Sequence, residues 1–246
     1  ERQRQQCALY DTDFALQLSK RIISAKIKNQ EVVLRRYERN SNVVLKDIHN
    51  MMSICRSKLE KCESVYEIMG YEGQSAKYYF DGLSQCIKEE FAFHGRSRRP
   101  PLDRVNALLS FAYVLLTSMC TSALESVGLD PYVGFMHTIR PGRKSLALDL
   151  VEELRSVFAD RFVITLINKK LILSKHFIEQ EDGAVLLNDE GKKIFFKYWQ
   201  QKKLEVIEHP YLKEKVEWGM VPYVQALLLS RYLRGDLDSY PAFFWK

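Results

Sequence analysis

The chain has no C-x-x-C pair, and its five cysteines (Cys7, Cys55, Cys62, Cys86 and Cys120) are an odd, scattered set in 246 residues. That pattern argues against a disulfide framework or a zinc knuckle and fits a reducing cytoplasm. Neither an initiator methionine nor a signal-peptide pattern opens the chain, which begins ERQRQQ. We expect a fragment that starts partway into a longer protein. Internal repeats and low-complexity tracts are also absent, which excludes repeat architectures and biased linkers. One uncharged stretch, 105–124, reaches membrane-spanning length. Asn106, Ser110, Thr117, Ser118, Thr121 and Ser122 interrupt it, and so many polar groups suit lipid poorly. We expect a helix at the centre of a soluble bundle, apolar nearly all round, and no membrane partner.

What is present is an ample supply of core. Hydrophobic residues make up 46% of the chain, enough for one large domain or two small ones. The formal charge is +6 and the pI about 8.9, which permits a polyanion partner without demonstrating one. Residues 12–39 carry Phe14, Leu18, Ile22, Ile23, Ile27, Val33 and Leu34 at roughly helical spacing, with Asp11 or Thr12 to cap the start. From Lys20 to Arg39 there are seven basic and two acidic residues. Such a run reads as a solvated face or as a track for phosphates.

A second helix is expected from about 43 to Met69, ended by Gly70, with shorter helices through YYFDGL and CIKEEF. The loop HGRSRRPPLD, 94–103, holds the densest positive patch, and Asp103 is placed to cap the central helix. Gly128 closes that helix, and another runs from Ser145 to about Lys170. HFIEQEDGAVLLND alternates around Asp-Gly as a small hairpin. Two helices follow at about 189–203 and 210–234, and the aromatic tail DLDSYPAFFWK is expected to pack down. The fold class is mainly α: a multi-helix bundle with a small β-hairpin. A helical core spans about 10–170, and the hairpin and C-terminal helices span about 171–246.

Between these helices, His137 precedes a loop rich in Pro, Gly and Arg, and Asp149, Glu152 and Glu153 follow on one side of a helix. A turn followed by a solvated helix face accounts for the pattern. So does half of a metal site, in which one imidazole and carboxylates from different segments leave open positions on a divalent cation.

The segments YEGQSAKYYF (71–80), GRSRRPPLDRVNALLSFAYVLL (95–116), GLDPYVGFMH (128–137) and SLALDLVEELR (145–155) stand in an order that closely resembles the CRISPR adaptation integrases, the endonuclease-integrases of spacer acquisition. The ending YLRGDLDSYPAFFWK resembles the version found with subtype I-C systems. The likeness covers nearly the whole chain and corresponds to the family's C-terminal helical catalytic domain, without its N-terminal β-rich domain. It implies Glu72, His137 and Glu152 as ligands of Mg²⁺ or Mn²⁺, with Asp149 a fourth site residue, either ligand or supporting group. Glu153 fits better as a neighbour. It further implies phosphoryl transfer, in which a spacer 3′-hydroxyl attacks the repeat phosphodiester. The implied partners are DNA, a small ferredoxin-like adaptation protein, and a second copy in a full-length homodimer. Arg96, Arg98, Arg99, Arg140, Arg143 and Lys144 are the candidate DNA contacts. The arginines of 96–99 could equally pair with Asp103 or Glu90. A DNA-binding fragment without chemistry and a stand-alone metal phosphodiesterase remain alternatives.

Overall fold

A computed structural model describes residues 2–39, 41, 43–87, 91–97 and 99–245. Helices dominate it: α1 (Arg2–Ala8), α2 (Asp13–Glu38), α3 (Lys46–Lys58), α4 (Val65–Cys86), α5 (Arg104–Ser126), α6 (Ser145–Leu154), α7 (Arg161–Asn168), α8 (Asp189–Leu204) and α9 (Val221–Leu233). Two antiparallel hairpins complete it, β1 (Phe177–Glu179) with β2 (Val185–Leu187), and β3 (Val206–Glu208) with β4 (Lys215–Glu217). Only the first hairpin is expected from the sequence. The second lies where the pattern suggests the start of a helix, and α9 begins at Val221 instead.

The long middle helix expected up to Gly70 is in fact two. Ser64 caps a new helix by accepting from the Glu67 N–H, and the Glu67 side chain accepts from the Glu63 N–H. The Ser64 cap is worth about 1 kcal/mol, comparable to the cost of one helical glycine. Gly70 and Gly73 sit inside α4, on its open side, where an added Cβ meets nothing within 4 Å. Asp103 caps α5 as expected, and Gly128, at φ +77°, lies just beyond its end.

Helix α6 is the pivot of the packing. It lies between α2 and α5, while α4 covers another side of α2. Nearly every residue of α6 is buried. It continues through a π-helical segment, Arg155–Asp160, into α7. Helix α5 packs on α6 and α9 but leaves Val114, Ser118, Ser122 and Ser126 on its outer side, one turn apart. Ser118, Ser122 and Ser126 thus form a solvent stripe, while Asn106 and Thr121 are buried, so the helix is not apolar and buried all round. By length and composition α5 alone, among the described residues, is apolar enough to cross a membrane, and half of its most apolar window is buried inside the protein.

The tail packs down. Tyr240 and Phe243 are buried, and Phe243 and Trp245 stack near Trp218. Asn29 of α2 donates to the carbonyls of Glu153 and Phe243 and accepts from the Trp245 N–H. All five thiols are free.

Candidate metal centre and nucleic-acid face

The acids of α6 do not form a solvated face. Asp149 and Glu153 are 0% exposed and Glu152 4%. A buried carboxylate is tolerated only with strong partners, and the partners differ at each position.

Asp149 is the hub of the His137 loop. Its Oδ2 accepts from the N–H groups of Phe135 (2.7 Å) and Met136 (3.1 Å). Its Oδ1 accepts from the N–H of His137 (3.0 Å) and lies 2.7 Å from His137 Nδ1. A carboxylate with all four positions facing donors places a proton on His137 Nδ1, and in the neutral ring Nε2 then keeps its lone pair. Gly134 makes this approach possible: a Cβ there would lie 2.7 Å from Ser145 and 2.8 Å from Asp149 Oδ2.

Glu152 and Glu72 share a different partner. The Lys26 ammonium, from α2, ion-pairs with Glu72 of α4 and with Glu152 of α6. Lys26 is 2% exposed. Arg155 Nη2 reaches Glu152 Oε1 at 2.7 Å. Burial opposes ionisation of Glu152, but Arg155, Lys26 and His137 together outweigh it and hold the carboxyl well below the usual range. Among the described residues no three His, Cys, Asp or Glu side chains form a ready cage for an ion. Glu72 and Glu152 instead meet on an ammonium, with His137 close enough to act on Glu152 when its ring is protonated. The donor set, two carboxylates and one imidazole, suits Mn²⁺ or Mg²⁺ in kind. The cation now between the carboxylates is a side chain.

The π-helical segment supplies the support beneath. Asp160, fully buried, accepts from the hydroxyls of Tyr79 (2.8 Å) and Tyr113 (2.6 Å). The Tyr113 ring carries the Arg155 guanidinium at 4.7 Å and that of Arg96 at 5.3 Å. A π-helical segment so close to functional groups is a familiar placement.

Glu153 faces the opposite way. It accepts from the hydroxyl of Tyr240, from Gln225 Nε2 (2.9 Å) and from the Phe243 N–H (2.7 Å). Burial raises its pKa to about 7 against these bonds. It ties the tail to the core, as its reading as a neighbour allows.

The candidate DNA contacts divide. Arg99, Arg140, Arg143 and Lys144 line one pocket of 630 Å³ that includes Thr117 and no acid. Arg96 turns inward, to Asn106 Oδ1 at 2.7 Å and Ser110 Oγ at 2.9 Å. It also lines a 280 Å³ cavity with Glu72 and Lys77. Arg98 and Glu90 lie outside the described residues. Asp103 accepts from Asn106.

Residues 1–201 match the family described as CRISPR associated protein Cas1. The chain belongs to the Cas1 family. A Cas1 endonuclease of Rhodospirillum rubrum is 48% identical over 239 residues, covering 92% of this chain and 70% of that protein. Among solved structures, a casposase bound to integration product superposes with TM-score 0.88 at 26% identity, over all of this chain and 72% of the casposase. A Cas1 protein from Thermotoga maritima gives 0.82 at 28% identity, over 95% of this chain and 73% of that one. The mainly helical class expected from the sequence is thus the fold of a Cas1 protein.

Sequence reasoning missed Lys26, Arg155 and Tyr113. Lys26 had a signal: it lies four residues after Ile22 and seven before Val33, on the apolar side of α2.

Proposed function

We propose that this Cas1 protein is a divalent-metal-dependent DNA integrase and endonuclease of spacer acquisition. One observation carries the reading. Glu72 and Glu152, eighty positions apart, converge on a single buried cation, next to a histidine whose Nδ1 is engaged by Asp149. The relatives named endonucleases and the casposase bound to integration product support phosphodiester chemistry on DNA. So does the acid-free pocket of Arg99, Arg140, Arg143 and Lys144.

Glu72, Glu152 and His137 Nε2 would hold Mg²⁺ or Mn²⁺, and the bound ion supplies Lewis acidity for in-line attack by a 3′-hydroxyl or water. Asp149 orients His137 and keeps its proton on Nδ1 rather than ligating. Arg155, fixed over Tyr113, holds Glu152 ionised and in place. The basic pocket grips the phosphate backbone, where forked guanidiniums suit phosphate oxygens. Cleavage of branched DNA needs the same groups, so it accompanies joining.

The wider assignment follows the same resemblance. We place the chain as the helical catalytic domain of a cytoplasmic subtype I-C protein. Its partners are DNA, a small ferredoxin-like adaptation protein, and, at full length, a second copy.

The test is strand transfer and branched-DNA cleavage with Mn²⁺, alongside Glu72→Ala, His137→Ala and Glu152→Ala. Each substitution abolishes turnover while the fold, checked by circular dichroism, stays intact. Full activity in any one of them removes that residue from the site. DNA binding without any turnover by the parent chain favours a binding module, and cleavage without joining favours a phosphodiesterase.

A further inference from the structure

We propose that Lys26 is an internal stand-in for the divalent ion: its ammonium holds Glu72 and Glu152 together in the metal-free protein and leaves when the ion enters. The inference rests on the metal reading above and deepens it.

Three helices put one charge each at this point, Lys26 from α2, Glu72 from α4 and Glu152 from α6. With Arg155 added, two negative groups face two positive ones, a balanced set that can be buried. An ion inserted beside the ammonium would set four positive charges against two negative. With the ammonium gone, the balance is three against two. The like-charge cost favours displacement over sharing.

Of the two resident cations, Lys26 is the one free to move. Arg155 is held by its contact with the Tyr113 ring at 4.7 Å and by Glu152 at 2.7 Å. Lysine is a compact charge on a flexible four-carbon stem with rotatable donors. The open side of the pair is at Glu72. The Glu72 side chain is 21% exposed and that of Glu152 5%, and Glu72 borders the 280 Å³ cavity lined by Gly73, Ala76 and Lys77. The absence of a ready three-donor cage among the described residues fits carboxylates set around an ammonium rather than an ion.

The test compares Mn²⁺ binding by the unmodified chain, Lys26→Met, Lys26→Gln and Glu72→Gln, followed by paramagnetic resonance titration. Removing the competing ammonium tightens Mn²⁺ binding by about tenfold or more. It also lowers the melting temperature of the metal-free protein, and Mn²⁺ restores more of it than it adds to the parent. Equal or weaker Mn²⁺ affinity in Lys26→Met and Lys26→Gln overturns the proposal. If Mn²⁺ binding disappears in Glu72→Gln but is not tightened by the Lys26 variants, the metal reading survives and the stand-in role falls. If neither the parent nor Lys26→Met binds Mn²⁺, both fall.

Should the variants fail to fold, the unmodified chain still decides. An amine-acylating reagent with peptide mass spectrometry reads the exposure of Lys26 directly. Labelling at Lys26 rises several-fold on adding Mn²⁺ if the ammonium is displaced, and unchanged or reduced labelling overturns the proposal.

Discussion

Replacing Gly134 by alanine tests whether the His137 loop depends on close approach to α6. Gly134 is not in the left-handed backbone region, so an added methyl brings no torsional strain there. It meets only space that is already filled. The Cβ would stand 2.7 Å from the Ser145 carbonyl carbon and 2.8 Å from Asp149 Oδ2, where non-bonded carbon atoms settle at about 3.5–4.0 Å. The loop must retreat by roughly 1 Å to reach such a separation, and the hydrogen bonds from Phe135, Met136 and His137 to Asp149 lengthen with it. Bonds to a charged acceptor contribute roughly 1.5–3 kcal/mol each, so loosening one or two costs about 3 kcal/mol. For a domain of this size that is a fall of roughly 6–12 °C in Tm. The control is Gly70→Ala, a helical site with nothing within 4 Å of the new Cβ, which stabilises by about 1 kcal/mol. Differential scanning fluorimetry and a strand-transfer assay read both. A Gly134→Ala protein that melts with the parent and joins DNA normally refutes the argument.

Asp149→Asn puts an amide opposite donors and frees His137 to move its proton to Nε2. Mn²⁺ affinity falls about 10–100-fold while the protein stays folded, measured by calorimetric titration; unchanged affinity removes Asp149 from the support of the site. Alanine at Arg99, Arg140, Arg143 and Lys144 lowers the slope of log K against log salt by about 0.9 for each duplex phosphate that the protein then leaves to its counterions. A fourfold variant with the parent's slope, measured by fluorescence anisotropy, rules that pocket out as the DNA grip. Glu153 predicts a pH dependence of stability. Its folded pKa, raised by burial to about 7 from 4.5, makes its contribution complete below about 4.5 and lost as pH rises towards 7. Relative to Glu153→Gln, the parent therefore loses about 3 kcal/mol across that window and then levels off. Urea denaturation at a series of pH values checks this, and parallel profiles for the two proteins refute it.

The sequence carries the site's donors but not their wiring. Four motifs identify Glu72, His137, Asp149 and Glu152, yet spacing cannot say that Asp149 saturates itself on loop N–H groups while Glu152 faces a lysine. Those facts depend on α2 running between α4 and α6, a long-range packing choice. Lys26 reads with its basic neighbours as surface because charge composition averages over faces. Its place among Ile22, Asn29, Gln30 and Val33, all turned inward, is the usable signal. The break at Ser64 is obscured by Gly70, which reads as a helix end although a glycine inside a helix costs only about 1 kcal/mol. The second hairpin is hidden because no Asp-Gly turn joins its short strands, as Asp182-Gly183 does in the first.

The clamp of Asn29 and Glu153 on residues 240–245 also sets an order of events during synthesis. Asn29 lies three positions past Lys26, and Glu153 directly follows Glu152. Part of their hydrogen bonding, from Tyr240, Phe243 and Trp245, comes from a stretch that leaves the ribosome after every residue of the candidate centre. A nascent chain lacking that stretch leaves the Asn29 oxygen without the Trp245 N–H and the Glu153 carboxylate with Gln225 but without Tyr240 and Phe243. The polar groups beside the candidate centre are therefore fully paired only once that aromatic stretch has joined the bundle.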